Sequence, residues 1–142
     1  GSESGHLLVW RGDPREGNEV SVRLDEGIKG HRAAVVALTA RDNFSQTEIR
    51  KNIELPLVSA SRDGEIKLWR FPDLILLRTI VLVDAIVGGL QSKDGACATI
   101  SSLALNSLGN RLIASTFKGI AYEVNIWNGI ATPVFFCIPI CW

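Results

Sequence analysis

Ser59, His31 and Asp63 are the residues of this chain whose types could carry out nucleophilic catalysis. A serine hydroxyl attacks a substrate when a neighbouring histidine accepts its proton and an acidic side chain orients that histidine. The same three residue types also form buried hydrogen-bonded sets that only hold strands together. Both interpretations stay open until the elements that carry the three side chains are identified.

Two other groups of residues were considered as sites for a metal ion or a phosphate. Cys137 and Cys141 offer two thiols, but no further cysteine or histidine lies near them to complete a tetrahedral site. Gly88 and Gly89 lack the lysine and the hydroxyl residue of a phosphate-binding loop, and they do not open a helix. We therefore expect no metal ion and no cofactor.

The stretch LVSASRDGEIKLW, residues 57–69, must position two of the three residues. Leu57–Ser61 alternates and is bounded by turn residues, which predicts a short strand. Arg62-Asp63-Gly64 predicts a tight turn, because Asp-Gly supplies the positive-φ conformations that join strands closely. Glu65–Phe71 then returns as a second strand, so the stretch is a hairpin.

Upstream of the hairpin, Gly30-His31 precedes an apolar run that begins at Val35. A Gly-His pair, a strand, a Ser-x-Ser strand, an Asp-Gly turn and a strand ending in Trp resemble one repeat of the WD-repeat (WD40) β-propeller family. In that family a His, a Ser or Thr, an Asp and a Trp form a buried hydrogen-bonded set that ties one four-stranded blade together. The resemblance implies that role for His31, Ser59, Asp63 and Trp69.

This resemblance favours the structural interpretation of the serine, the histidine and the aspartate. Within a WD-type blade these groups satisfy one another beside the tryptophan, where no substrate reaches them. The family's usual final aspartate is replaced by Arg70, which leaves the set intact. We therefore expect no catalytic residues and a protein that is not an enzyme.

Internal repetition extends the resemblance over nearly the whole chain. Gly64 aligns with Gly5 and with Gly119, each followed by a strand-like run. The spacing of roughly 55 to 65 residues exceeds the length of a plain WD unit, so the copies carry insertions. We expect an all-β fold with WD40-like blades in a single partial propeller, 1–142: a half blade over 1–27, a full blade over 28–82, and a degenerate blade with an apolar tail over 83–142.

The degenerate blade has lost the buried polar set. The positions that match His31, Ser59, Asp63 and Trp69 hold Ala96, Ala114, Lys118 and Val124. Because every polar member is replaced together, no half-satisfied buried group remains, and the blade can pack as an apolar sheet. Trp127, near the end of this blade, is expected to be buried within the blade. The alternative is that it forms an apolar contact surface on the side opposite the Asp-Gly turns.

Strand counting predicts an incomplete ring. The chain offers about ten strands, or about two and a half antiparallel blades, whereas the smallest ordinary propeller has four blades of four strands. We expect a fragment, a truncated product or a subunit that closes its ring with others, and hence an oligomer or part of a larger complex. The uncharged tail over 130–142 would otherwise leave an aggregation-prone terminus exposed.

Composition limits the partners and the location. Fifteen basic residues balance fifteen acidic ones, so we expect no nucleic acid. The longest apolar stretches are too short or too interrupted for a membrane span. Three cysteines, an odd number without a dense framework, favour a reducing cytoplasmic setting, with the nucleus as an alternative.

A non-catalytic protein–protein interaction scaffold in a multiprotein complex is the function that the resemblance implies. Two long connections, 41–54 with a short helix over 46–51 and 83–98, could carry recognition. Basic residues near the hairpin turns could receive an acidic or phosphorylated peptide. The candidate partner-binding residues are Arg32, Arg62, Lys118, Gly88 and Lys93.

Two alternatives to the scaffold remain open. One is a phosphoinositide- or lipid-binding propeller, although that family's paired arginine is absent from the sequence. The other is a fragment of a propeller enzyme, which needs titratable residues that converge on a central channel.

Overall fold

The described part of the chain is entirely β. The computed structural model describes residues 1–13, 21–41, 55–71, 73–83 and 98–136. These residues contain no helix, and therefore none that could cross a membrane. Their ten strands are β1 (His6–Asp13), β2 (Ser21–Lys29), β3 (Val35–Ala40), β4 (Leu55–Ser61), β5 (Glu65–Phe71), β6 (Ile75–Val81), β7 (Ile100–Leu105), β8 (Arg111–Thr116), β9 (Ile120–Asn125) and β10 (Ala131–Phe136).

Several predicted features fall outside the described residues. They are the helix over 46–51, Gly88 and Lys93 of the second long connection, and the tail beyond residue 136. Within the described residues, the expected all-β class with four-stranded antiparallel sheets is confirmed. The described sheets do not close into a ring.

The first two strands form a two-stranded antiparallel ribbon, β1–β2. β2 runs to Lys29 and so passes the expected blade boundary after residue 27. The sequence signal ends earlier because Asp25, Glu26 and Gly27 are poor strand formers. Pairing with β1 carries the strand through them, and Gly27 leaves room for the Leu8 side chain across the ribbon.

The other eight strands form two four-stranded meanders. The middle sheet has the order β3-β4-β5-β6, and the third sheet has the order β10-β9-β8-β7. Val58, Ala60, Ile66 and Leu68 alternate along β4 and β5 and are buried on one face of the middle sheet. This period of two is the one that a half-buried antiparallel strand requires.

The three sheets pack in a stack, in which the central strands β4 and β5 of the middle sheet place buried residues on both faces. Between the middle and third sheets lies the larger core, which includes Ile66, Leu82, Ile100, Leu112 and Val124. The smaller core lies between the ribbon and the other face of the middle sheet. It contains Leu7, Val9, Trp69 and Leu74.

The three aligned glycines adopt the same backbone conformation. Gly5, Gly64 and Gly119 have φ values of 84°, 84° and 77°, in the left-handed region that favours glycine. Each directly precedes a strand: β1, β5 or β9. The sequence repetition is therefore matched by a repeated turn geometry at the start of each of these strands.

Replacing Ile66 by alanine tests the packing between the middle and third sheets. Ile66 is fully buried in the larger core, so the substitution leaves a cavity and should lower the free energy of unfolding by about 2–5 kcal/mol. Ile75, on β6, is 45% exposed, and Ile75→Ala is the control, with an expected change below about 1 kcal/mol. Urea denaturation followed by circular dichroism measures both. Equal losses would contradict the stacked arrangement.

Candidate functional site

A buried polar set joins the ribbon to the middle sheet. The Trp69 indole Nε1 donates to Ser59 Oγ at 2.8 Å, and the same oxygen hydrogen-bonds to His31 Nε2 at 2.6 Å. Ser59 is 0% exposed and His31 is 2% exposed. The structure therefore brings together three of the four residues that the WD resemblance groups.

Strand register places Ser59 beside Trp69. Ser59 pairs with Lys67, and Leu57 pairs with Trp69, in the antiparallel β4–β5 ladder. Directly paired residues share a face, so Ser59 and Trp69 are diagonal neighbours on the face that looks toward the ribbon. Their hydrogen bond follows from this register.

His31 is positioned by two glycines. The Gly5 carbonyl accepts hydrogen bonds from the amides of Gly30 and His31, at 3.1 and 3.0 Å. A Cβ on Gly30 would lie 2.9 Å from Cζ2 of Trp69, so only glycine fits between the chain and the indole ring. Gly30 of the Gly-His pair thus lets the chain pass close to the Trp69 ring, which brings the His31 side chain beside Ser59.

Asp63 is near this set but is not hydrogen-bonded to it. Its Oδ1 accepts from the Glu65 amide at 3.0 Å, which caps its own turn. Asp63 Oδ2 and His31 Nδ1 are both buried without a hydrogen-bond partner. The expected bond between Asp63 and the rest of the set is therefore not made, although Asp63 Oδ2 takes no part in the turn hydrogen bond.

Three charged side chains, those of Lys67, Asp63 and Glu65, lie near the buried His31 ring. Lys67 Nζ donates to the Gly30 carbonyl at 2.6 Å and forms an ion pair with Glu65 Oε2 at 3.2 Å. Burial, and next the positive charge of Lys67, lower the pKa of His31, while Asp63 and Glu65 oppose that shift. His31 is consequently held in its neutral form.

The burial of Ser59 limits what the set can do chemically. A nucleophile must reach a substrate, and a general base must lie within hydrogen-bonding distance of the transferred proton. Ser59 Oγ is enclosed between an indole and an imidazole, with no exposed surface of its own. In this arrangement the serine connects strands.

A second feature is the end of the sheets that carries the hairpin turns, which we call the turn end. It comprises residues 31–34, 62–64, 82–83, 98–99 and 116–119. Backbone hydrogen bonds connect these segments: Arg62 N to Ala34 O, Leu82 N to Gly64 O, Ala98 N to Leu82 O, and Phe117 N to Thr99 O, at 2.9 to 3.1 Å. The turn end is therefore a continuous, backbone-bonded surface.

Three of the five candidate partner-binding residues lie on the turn end. Arg32, Arg62 and Lys118 are all exposed there. The other two, Gly88 and Lys93, lie outside the described residues.

Phe117 is a residue of the turn end that the sequence analysis missed. β8 ends at Thr116, and Phe117, the next residue, is 69% exposed. A signal was available: Leu112, Ala114 and Thr116 alternate inward, so the next residue falls outside the buried face. A large aromatic side chain beside a Lys-Gly turn is thus displayed, and not packed.

The expectation that Trp127 is buried is wrong. β9 ends at Asn125, whose Oδ1 accepts from the Trp127 amide and starts a turn. The Trp127 side chain is 52% exposed. Ile120, Tyr122, Val124 and Ile126 are the residues that alternate inward, so Trp127 falls on the outward side.

Comparison with known proteins adds no family to these observations. No family model matches the chain. No curated protein matches it either. The WD-repeat resemblance therefore depends on the residues of the chain alone.

Ser59→Ala should destabilise the protein more than Asp63→Ala does. Removing the hydroxyl leaves Trp69 Nε1 and His31 Nε2 buried without a partner, at a cost of about 1–3 kcal/mol in free energy of unfolding. Asp63→Ala removes one turn hydrogen bond, worth about 0.5–1.5 kcal/mol. Ser102→Ala, at an exposed position, is the control. Chemical denaturation gives all three values, and a larger loss for Asp63→Ala would contradict this account.

Stability should depend on pH through His31. The unfolded chain binds a proton near the ordinary histidine pKa of 6.5, whereas the folded chain resists protonation. The unfolded state then holds more protons, so the stability is fully present above that value and falls as the pH is lowered through it. Between about pH 7.5 and about pH 5.5, the wild type should lose more unfolding free energy than His31→Gln. If the unfolding free energies of the two proteins change in parallel with pH, His31 is not the source of the dependence. A chelator is present in both measurements, so that no metal ion binds the histidine.

Proposed function

We propose that this chain is a non-catalytic scaffold of WD-repeat type that binds another protein through its turn end. The observation that supports it most directly is the exposure of Arg32, Arg62, Lys118 and Phe117 on one backbone-bonded surface. Arginine and aromatic side chains are the residues that most often dominate binding energy at protein interfaces. A surface that combines them suits a protein partner.

Rigidity of the turn end supports the same proposal. Binding is weakened by the entropy of ordering loops and side chains, and a pre-formed surface avoids part of that loss. Here the segments are joined by main-chain hydrogen bonds and lie above a stack of buried sheets. The scaffold thus presents Arg62 and Phe117 on turns whose backbone is already ordered.

We further propose that the stacked sheets are blades of an incomplete WD-type propeller. The repeated positive-φ glycines and the Gly30-His31, Ser59 and Trp69 arrangement support this identification. Completion of a ring would require further sheets. The proposal therefore includes an oligomer or a larger complex as the working form of the chain, in the cytoplasm or the nucleus.

The positive charge of the turn end supports a partner that carries negative charge. Arg62 and Arg32 lie on segments joined by the bond from Arg62 N to Ala34 O, and Arg guanidinium groups bind carboxylates and phosphates through paired hydrogen bonds. An acidic or phosphorylated segment with an adjacent apolar residue for Phe117 fits this surface. No observation favours the lipid-binding or enzymatic alternatives over it.

Charge reversal at the turn end tests the function. The chain is immobilised and incubated with an extract of its source cells, and captured proteins are identified by mass spectrometry. Arg32→Glu combined with Arg62→Glu should reduce capture of the wild-type partners by at least about tenfold. A tenfold loss of affinity corresponds to about 1.4 kcal/mol of binding free energy, which the loss of charge contacts across an interface supplies. Phe117→Ser should give a similar loss.

Arg78→Glu is the matched control, since Arg78 is exposed on β6 and pairs with Leu68 in mid-strand, away from the turns. It should retain the partners, and all variants should keep the circular-dichroism spectrum of the wild type. Partners that survive both turn-end variants, or that are lost equally with Arg78→Glu, would place recognition elsewhere.

A further inference from the structure

We propose that His31, Asp63 and Glu65 form a binding site for a divalent transition-metal ion of the zinc type at the base of the turn end. The site goes beyond the proposed scaffold function and does not depend on it. It also departs from the expectation of no metal, which was drawn from the cysteines and the small number of histidines.

Two buried atoms without a partner, His31 Nδ1 and Asp63 Oδ2, point to a missing ligand. A third buried atom, Glu65 Oε2, makes no hydrogen bond and is paired with the Lys67 ammonium. A buried polar atom without a partner is uncommon in a folded protein and calls for a specific explanation. A cation would be a single partner for all three.

The geometry of the three residues suits one ion. One ligand atom from each residue lies within 4.8 Å of the others. Around a tetrahedral zinc ion, ligand atoms lie about 3.3–3.5 Å apart, so the side chains would close by up to about 1.5 Å. Asp63 and Glu65 are only partly buried and flank the turn glycine, which leaves their carboxylates room for that movement.

The histidine is already oriented from behind. Metal-binding histidines hold the other ring nitrogen in a hydrogen bond that fixes the ring and its tautomer. Here His31 Nε2 is bonded to Ser59 Oγ, which is itself held by Trp69. When Nε2 donates its hydrogen to Ser59, Nδ1 carries the lone pair that a metal requires.

The donor set identifies the kind of ion. One imidazole and two carboxylates leave the fourth tetrahedral position to water, which can enter from the turn. Calcium and magnesium require six or more oxygen ligands or near-ideal octahedra, and this cluster offers a nitrogen and few oxygens. Imidazole with carboxylate suits zinc and its neighbours in the transition series.

Lys67 is the competing cation of this site. Its ammonium lies 3.2 Å from Glu65 Oε2 and bonds the Gly30 carbonyl. Without metal it balances part of the carboxylate charge; with metal it must withdraw from Glu65. Removing its charge should therefore strengthen metal binding.

The test uses Co²⁺ as a spectroscopic probe and Zn²⁺ as a competitor, on the whole chain at neutral pH after chelator treatment. The wild type should develop the visible absorption of four-coordinate Co²⁺ at one ion per chain, and Zn²⁺ should abolish it. Asp63→Asn and Glu65→Gln should each weaken binding by at least about tenfold. Asp63→Asn keeps an oxygen for the Glu65 amide, so its turn is retained. Lys67→Met should bind more tightly than the wild type.

Asp73→Asn is the matched control, because Asp73 is an exposed carboxylate paired with Arg70 and far from the cluster in its sheet register. Its Co²⁺ affinity should equal that of the wild type. Absence of the Co²⁺ spectrum, retention of binding in both cluster variants, or equal weakening in Asp73→Asn would each overturn the proposal.

Discussion

The Ser59 hydroxyl is the buried polar group around which the contact between the ribbon and the middle sheet is arranged. It lies between an indole that donates to it and an imidazole that comes from the other side of the interface. Because it is completely buried, neither neighbour can exchange its hydrogen bond for one with water. The geometry of Gly30, Gly5 and the start of β1 is adapted to this contact, and Trp69 also provides the largest apolar side chain of the smaller core.

The third sheet meets the middle sheet in the same way but without the polar set. Ala114 and Val124 stand where the sequence repetition aligns Ser59 and Trp69, and both are fully buried. One polar link is kept in a changed form: the Tyr122 hydroxyl donates to the Val83 carbonyl at 3.0 Å, and Lys67 bonds the Gly30 carbonyl at 2.6 Å. Both residues lie on the third strand, in chain order, of a four-stranded sheet, and each reaches the segment that precedes its own sheet. The two sheets therefore share this geometry although the residues differ.

The strands and three residues of the buried set could be predicted from the sequence, because both depend on local patterns of residue type. Alternation located β4, and the Asp-Gly pair located the turn; the Gly-His and Trp positions then grouped His31, Ser59 and Trp69. The orientation of Asp63 is an outcome that spacing does not reveal: its Oδ1 bonds the Glu65 amide, and its Oδ2 makes no bond to the histidine. The exposure of Phe117 and of Trp127 follows from strand phase and could have been predicted from the pattern.

The two interfaces of the middle sheet differ in how their polar groups are satisfied. The interface with the third sheet is mostly apolar, and the Tyr122 hydroxyl there donates to the Val83 carbonyl. At the ribbon interface, His31 Nδ1 and Asp63 Oδ2 stay buried without partners, and each such atom costs about 1–3 kcal/mol. Apolar side chains could thus replace the polar ones in the same architecture. They do not do so at the ribbon interface, where the unsatisfied polar atoms cost the most stability. Local rules are broken most often at functional sites. The unsatisfied groups border the turn that displays Arg62, so the metal site and the partner surface that we propose share this edge of the stack.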